Sequence, residues 1–221
     1  MPVLWTSTKR ILYIHVPKTG GSYVERLLTS YGTVTSLQSQ ARLDGMPCNP
    51  QHFHKTLLEH LYAASENPRD HPFDYVFMTV RDPLDRMRSE YAYRVGRLGR
   101  FKKMRAHRGV RPSFDRWLNV TLRRYGRNPY VYDNHIRPQH EFLAFNPVVF
   151  RLEDGLEDIA SALDRVTGFR GRLPESPINS SPRTPKVGME ITSRTWKTFL
   201  AHAMTDYSKF AYPLRSPTGV S

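Results

Sequence analysis

Residues Ile11–Tyr31 read ILYIHVPKTGGSYVERLLTSY, and three local patterns follow one another along them. Ile11–Val16 is a short apolar, β-branched and aromatic run, the pattern of a buried strand. Pro17–Ser22 is a turn-forming loop with one cation and two hydroxyls. Val24, Leu27, Leu28 and Tyr31 then fall at i, i+3, i+4 and i+7, one face of a helix. Ser22 and Glu25 have capping-box spacing at its start. A strand, a glycine-containing loop and a helix N-terminus in that order predict an anion site. The first helical N–H groups have no intrahelical partner, and the macrodipole is positive there. Gly20 and Gly21 let the backbone approach a ligand, Lys18 adds a full charge, and Thr19 and Ser22 add hydroxyl donors. Lys18 precedes the glycines, so the loop lacks the order of a nucleoside triphosphate P-loop.

A second unit of the same kind lies downstream. Phe73–Val80, FDYVFMTV, reads as a strand. Arg81 leaves its carboxyl end, Asp82 is a helix cap, and Pro83 suits the first helical position. Leu84, Met87, Tyr91 and Val95 form the stripe of the helix that follows. Two strand–turn–helix units predict an α/β domain with a mainly parallel sheet, helices on its faces and ligands at the strands' carboxyl ends. Arg81 suits a bidentate phosphate contact, and Ser89 lies about two helical turns further on. Thr33–Leu37 and Val148–Leu152 add strands. Gln51–Ser65, Ser113–Tyr125, Glu153–Val166 and Ile191–Ala203 add helices. Arg97–Arg105 and Gly168–Gly188 read as loops.

The chain has 221 residues, enough for one domain with a real core, and its 39% hydrophobic and 24% charged content fits a globular protein. The net charge of +13 points to an anionic partner. Most of it lies in Arg81–Arg127, with 15 Lys or Arg against 4 Asp or Glu. The single cysteine, Cys48, excludes an intrachain disulfide and a CxxC metal site. No apolar run at the start is long enough for a signal peptide or a membrane span, so a soluble cytoplasmic protein is expected.

HVPKTGGSYVERLL (15–28) and TVRDPLDRMRSEY (79–91) together resemble the sulfotransferases that use 3′-phosphoadenosine 5′-phosphosulfate (PAPS). The likeness is greatest to the carbohydrate sulfotransferases, including heparan sulfate 2-O-sulfotransferase, and to their bacterial relatives. It runs from about Arg10 to Pro213. It implies a P-loop-like three-layer sandwich with a central, mainly parallel sheet. It implies that Pro17, Lys18, Thr19, Gly20, Gly21 and Ser22 hold the 5′-phosphosulfate and that Arg81 and Ser89 hold the 3′-phosphate. Ser181 and Arg183, in the late loop Asn179–Lys186, would close over the nucleotide. His52-Phe53-His54 resembles the base region of the heparan 2-O-sulfotransferases. Sulfuryl transfer needs a base for the acceptor hydroxyl, and imidazole has a suitable pKa. His54 is the first candidate, because Leu58 follows it at the spacing of the resembled motif, and His52 is the second. His135, Arg137 and Gln139 resemble a segment near the acceptor. Lys18 would neutralise charge on the departing oxygen, leaving adenosine 3′,5′-bisphosphate as product and requiring no metal. The acceptor would be a carbohydrate or another hydroxyl compound, with an anionic glycan favoured by charge and no nucleic acid expected.

Two other readings stay open. A kinase on a related fold is disfavoured by the position of Lys18 and by a strand ending in Arg81 rather than in a metal-binding Asp. A basic nucleic-acid binder would lack a recognised base-stacking module and would leave the His52/His54 pair without a role.

Overall fold

The structure is a computed structural model and describes residues 1–36, 47–62, 73–102, 112–174 and 189–214, leaving the side chains of 96–102 aside. Five strands make one sheet: β1 (Pro2–Trp5), β2 (Arg10–Ile14), β3 (Thr33–Ser36), β4 (Tyr75–Val80) and β5 (Val148–Arg151). Their order is β3-β1-β2-β4-β5. β2, β4 and β5 pair in parallel, while β1 pairs antiparallel with both β2 and β3. Four strands therefore share one direction, and the sheet is mainly parallel as expected. β1 was not anticipated from the sequence.

The helices are α1 (Gly21–Leu28), α2 (Lys55–Tyr62), α3 (Pro83–Lys102), α4 (Phe114–Tyr125), α5 (Glu157–Thr167) and α6 (Ser193–Lys209). Strand alternation sorts them into two layers. Leu4, Ile11, Tyr13 and Phe77 point to one face and pack with Val24, Leu27 and Leu28 of α1 and Ile159 and Leu163 of α5. Leu12, Ile14, Val76, Met78 and Val80 point to the other and pack with Met87 of α3, Trp117 and Leu118 of α4, and Phe199 of α6. Each such fully buried side chain contributes about 1.5–3 kcal/mol. The result is the expected three-layer α/β sandwich.

Several boundaries differ from the sequence reading. Arg97–Lys102 continues α3 instead of forming a loop, and the rest of that basic run lies outside the described residues. The helix expected from Gln51 begins at Lys55, after a 3-10 turn at Pro50–His52 whose cap, Asn49, accepts from the Gln51 N–H at 2.9 Å. The helix expected from Glu153 begins at Glu157, because Leu152–Asp154 forms a 3-10 turn. Asp82 caps α3 as expected, its Oδ1 accepting from the Asp85 N–H at 2.9 Å. Ser181 and Arg183 lie outside the described residues. Among the described residues, no helix is long and apolar enough to cross a membrane.

The register of β2, β4 and β5 aligns Ile14 with Met78, and Val80 with Arg151. The loops leaving these carboxyl ends therefore meet, bringing His15–Gly20 beside Arg81.

Candidate functional site: an anion loop beside a histidine cluster

Two left-handed residues, Lys18 at φ 71° and Gly20 at φ 87°, turn the chain from β2 into α1. Such a φ is unfavourable for lysine, and strain of this kind gathers at functional loops. The cap of α1 is Gly20, with no side-chain hydrogen bond. The expected capping box does not form. Ser22 is exposed within the first turn, and Glu25 turns away to His15, with Oε1 3.1 Å from Nδ1. The helix start is thus left without a side-chain cap. A Cβ at Gly21 would stand 2.0 Å from His15 Nε2, so only glycine lets this imidazole lie against the start of α1. Thr19 differs from expectation: its buried hydroxyl donates to the Val16 carbonyl at 2.8 Å and lies 2.9 Å from Thr79 Oγ1, so it anchors the loop from within.

Arg86 locks this loop to the rest of the site. It is buried and holds three backbone carbonyls. Nε donates to the Pro17 carbonyl at 3.1 Å, and Nη2 donates to the carbonyls of His135 and Arg137 at 2.7 and 2.8 Å. Burial pushes its pKa down to about 10, still far above neutrality. The Arg81 backbone is held at both ends by the Gln139 amide: Arg81 N–H to Oε1 at 2.9 Å, and Nε2 to the Arg81 carbonyl at 2.8 Å. The Arg81 guanidinium has no partner among the described residues and stays available to an anion. Ser89 lies half-buried on α3. Lys18 is partly buried, which lowers its pKa, and Glu90 opposes that shift while Arg81 and Arg94 add to it.

Of the three residues expected near an acceptor, two face inward. Gln139 is fully buried and spent on Arg81. Arg137 is buried, with Nε donating to Asn134 Oδ1 at 2.9 Å and Nη1 paired to Glu141. His135 instead joins two other imidazoles. His52 lies edge-on to it at 4.7 Å between ring centroids, and His15 lies edge-on to His52 at 5.7 Å.

Each ring in this row has its own carboxylate. His15 has Glu25, His135 Nδ1 meets Glu90 Oε2 at 2.7 Å, and His52 Nδ1 meets Asp133 Oδ2 at 2.9 Å. Glu90 is fully buried and also accepts from Arg94 Nε at 2.5 Å. Burial alone would raise its pKa, but His135 and Arg94 hold it below the usual carboxylate range. Asp133 behaves alike: burial is outweighed by His52 and the Asn49 N–H. Burial lowers the pKa of His15 and His135 despite their carboxylates. Asp133 occupies a turn in which Tyr132, Asp133 and Asn134 are all left-handed. Asn134 fixes that turn, its Nδ2 donating to the His52 carbonyl at 2.9 Å.

His54 differs from His52. It is buried, packs edge-on to Tyr130 at 5.9 Å, and its Nδ1 has no hydrogen-bond partner among the described residues. Burial, then the Arg137 charge, push its pKa down to about 4.

A model of the sulfotransferase family matches residues 2–212. The chain belongs to the sulfotransferase family. No curated protein and no solved structure matched it. Membership makes it a PAPS-dependent sulfotransferase, and neither the kinase nor the nucleic-acid reading is favoured.

The site of this sulfotransferase suits a doubly anionic donor. It offers a glycine that a Cβ would block, the Lys18 ammonium and, among the described residues, a helix start without a side-chain cap and an unpartnered Arg81 guanidinium. Among the described residues no group of three His, Cys, Asp or Glu is arranged to hold a metal. Sequence reasoning missed Asp133, Glu90, Arg86 and the part played by His15. One signal was present: Arg86, Glu90 and Arg94 stand at i, i+4 and i+8, a polar face of α3 that mirrors its apolar stripe. Asp133 gives none, because it reaches His52 across 81 residues.

Proposed function

We propose that this sulfotransferase moves the sulfuryl group of PAPS to a hydroxyl of a carbohydrate acceptor by in-line displacement, with His52 as the general base. The observation carrying this reading is the Asp133–His52 pair, set beside the anion loop through His15. A carboxylate on Nδ1 fixes the tautomer, leaves the Nε2 lone pair to take a proton, and stabilises the imidazolium that results. His54, the first candidate on sequence spacing, lacks such a carboxylate and is buried against Tyr130. It serves in packing.

The donor, when bound, supplies the sulfuryl group and a leaving phosphate on which negative charge grows. The backbone of Gly20 and Gly21 and the Ser22 hydroxyl hold its 5′ end, and Lys18 meets the growing charge. Arg81 and Ser89 hold the 3′-phosphate. The acceptor oxygen bonds to sulfur as the bond from sulfur to the 5′-phosphate oxygen breaks, and the hydroxyl proton passes to His52 Nε2. Arg137 and Gln139 act from inside: one ties the His52 turn through Asn134, the other holds Arg81. Ser181 and Arg183 keep the closing role the resemblance implies.

The test is a screen with PAPS labelled on sulfur against desulfated glycans, neutral oligosaccharides and small alcohols. Transfer to a sugar is expected. Transfer to a small alcohol alone would overturn the carbohydrate reading, and phosphoryl transfer from γ-phosphate-labelled ATP with no transfer from PAPS would overturn sulfuryl transfer.

A further inference from the structure

Tyr93 has no part in the assignments above, yet its ring touches two of the residues they use. It stands on α3 between Glu90 and Arg94, both charged neighbours of Lys18. The Lys18 Nζ lies 4.2 Å from the centroid of its ring. The His135 imidazole stacks on the same ring at 6.3 Å, with the planes 21° apart. The Arg94 guanidinium is 5.7 Å away. Among the described residues the Lys18 ammonium has no hydrogen-bond or ion-pair partner, and this ring faces it.

A lysine side chain carries about 2 kcal/mol of rotamer freedom, which a flexible ammonium loses on reaching an anion. A ring face removes part of that freedom beforehand. Its quadrupole attracts the cation without neutralising it, as a carboxylate would. That suits a charge which must later serve a phosphate. Burial pushes the ammonium toward its neutral form, and both Glu90 and the ring face favour the charged one.

We propose that Tyr93 is the positioning residue of Lys18: its ring face seats the ammonium beside the anion loop, so that the charge is already in place when the donor enters. The inference rests on the reading of Lys18 as a ligand of the donor's 5′ end. It needs the aromatic face and not the phenol hydroxyl, so phenylalanine suffices and leucine does not.

Two measurements on the full chain test it, with wild type, Tyr93→Phe, Tyr93→Leu, Lys18→Met and the Tyr93→Leu/Lys18→Met pair. The first needs no ligand. In a carbon–proton NMR spectrum the Lys18 ε-methylene is shifted upfield by the ring current, as identified by its loss in Lys18→Met. The shift is expected in wild type and Tyr93→Phe and should vanish in Tyr93→Leu. An unshifted signal in wild type overturns the seat, even if Tyr93→Leu fails to fold. The second is adenosine 3′,5′-bisphosphate binding by calorimetry. Tyr93→Phe should stay within about twofold of wild type, and Tyr93→Leu should weaken binding about 3- to 30-fold, the span of one cation–π contact. In the Lys18→Met background Tyr93→Leu should cost less than about twofold, since a seat without an occupant does nothing. Additive losses would mean a general packing role and overturn the proposal. If nucleotide binding depends on Lys18 but Tyr93→Leu binds like wild type, the seat alone falls. If Lys18→Met binds like wild type, the reading of Lys18 falls and the seat with it.

Discussion

Two histidines one residue apart take opposite environments, and that difference decides the chemistry expected of each. His52 has a carboxylate on Nδ1 and two imidazoles at its edges, whereas the Nδ1 of buried His54 has no partner among the described residues. His52→Ala is expected to remove most turnover, by about 10²–10⁴-fold, the usual worth of a positioned base, while bisphosphate binding stays nearly unchanged. The wild-type rate should fall in acid, because a protonated ring cannot accept the hydroxyl proton. His54→Ala should keep that acid limb and lose stability instead. Its protonation, favoured only near pH 4, comes too low to shape the limb. A His54→Ala enzyme with its acid limb erased would reverse the assignment. Lys18 is tested by its split effect. Lys18→Ala should lower kcat by a larger factor than it raises the donor's KM, because its charge is most useful as the leaving oxygen becomes negative. An intact kcat with a raised KM would reduce it to a binding residue.

At the scale of elements, the two strand–turn–helix units were legible because each carries its whole signal within about 20 residues: an apolar run, a turn and a 3.6-residue stripe. β2, β4, α1 and α3 all followed. The Asp133–His52 pair and the Asp206 clasp were not legible, because each is defined by partners far along the chain. Asp206 of α6 is the clearest example. It is buried and accepts from the N–H groups of Gln139 and His140 at 2.7 and 2.9 Å and from His140 Nδ1 at 2.7 Å. It thereby clamps the 3-10 turn Gln139–Phe142 that holds Arg81. Burial would raise its pKa, but His140 and these amides hold it below the usual carboxylate range. A depressed folded pKa contributes stability that is full above the unfolded value of about 4 and is lost as pH falls through the folded one. Asp206→Asn should therefore cost about 2–4 kcal/mol near neutral pH, a buried charge-assisted cluster being reduced to one neutral acceptor. Its difference from wild type should shrink in acid. Urea melts at pH 7 and pH 3 measure both values, and an unchanged difference at pH 3 would sink the clasp.

For the whole molecule, the two units form one site across which a ligand would lie. The loop after β2 and the end of β4 are already joined by Arg86 and by the parallel register of their strands. Adenosine 3′,5′-bisphosphate would add a third link, with its 5′-phosphate on the anion loop and its 3′-phosphate on Arg81. A ligand that binds the folded state alone stabilises it by about 2.7 kcal/mol at a hundred times its Kd. For a domain of this size that corresponds to a rise of roughly 5–11 °C in Tm, at about 2–4 °C per kcal/mol. Adenosine 5′-monophosphate at the same concentration leaves Arg81 and Ser89 empty, binds more weakly and should raise Tm far less. Added salt should shrink the bisphosphate shift, since charge at the surface of a strongly basic protein is screened over about 10 Å at 0.1 M. Arg81→Ala should bring the two nucleotides close together, because it removes the group that tells them apart. Thermal melts of wild type and Arg81→Ala with each nucleotide decide the matter. Equal shifts in wild type, or an Arg81→Ala protein that still prefers the bisphosphate to the same degree, would remove the 3′-phosphate from Arg81 and with it the link between the two halves.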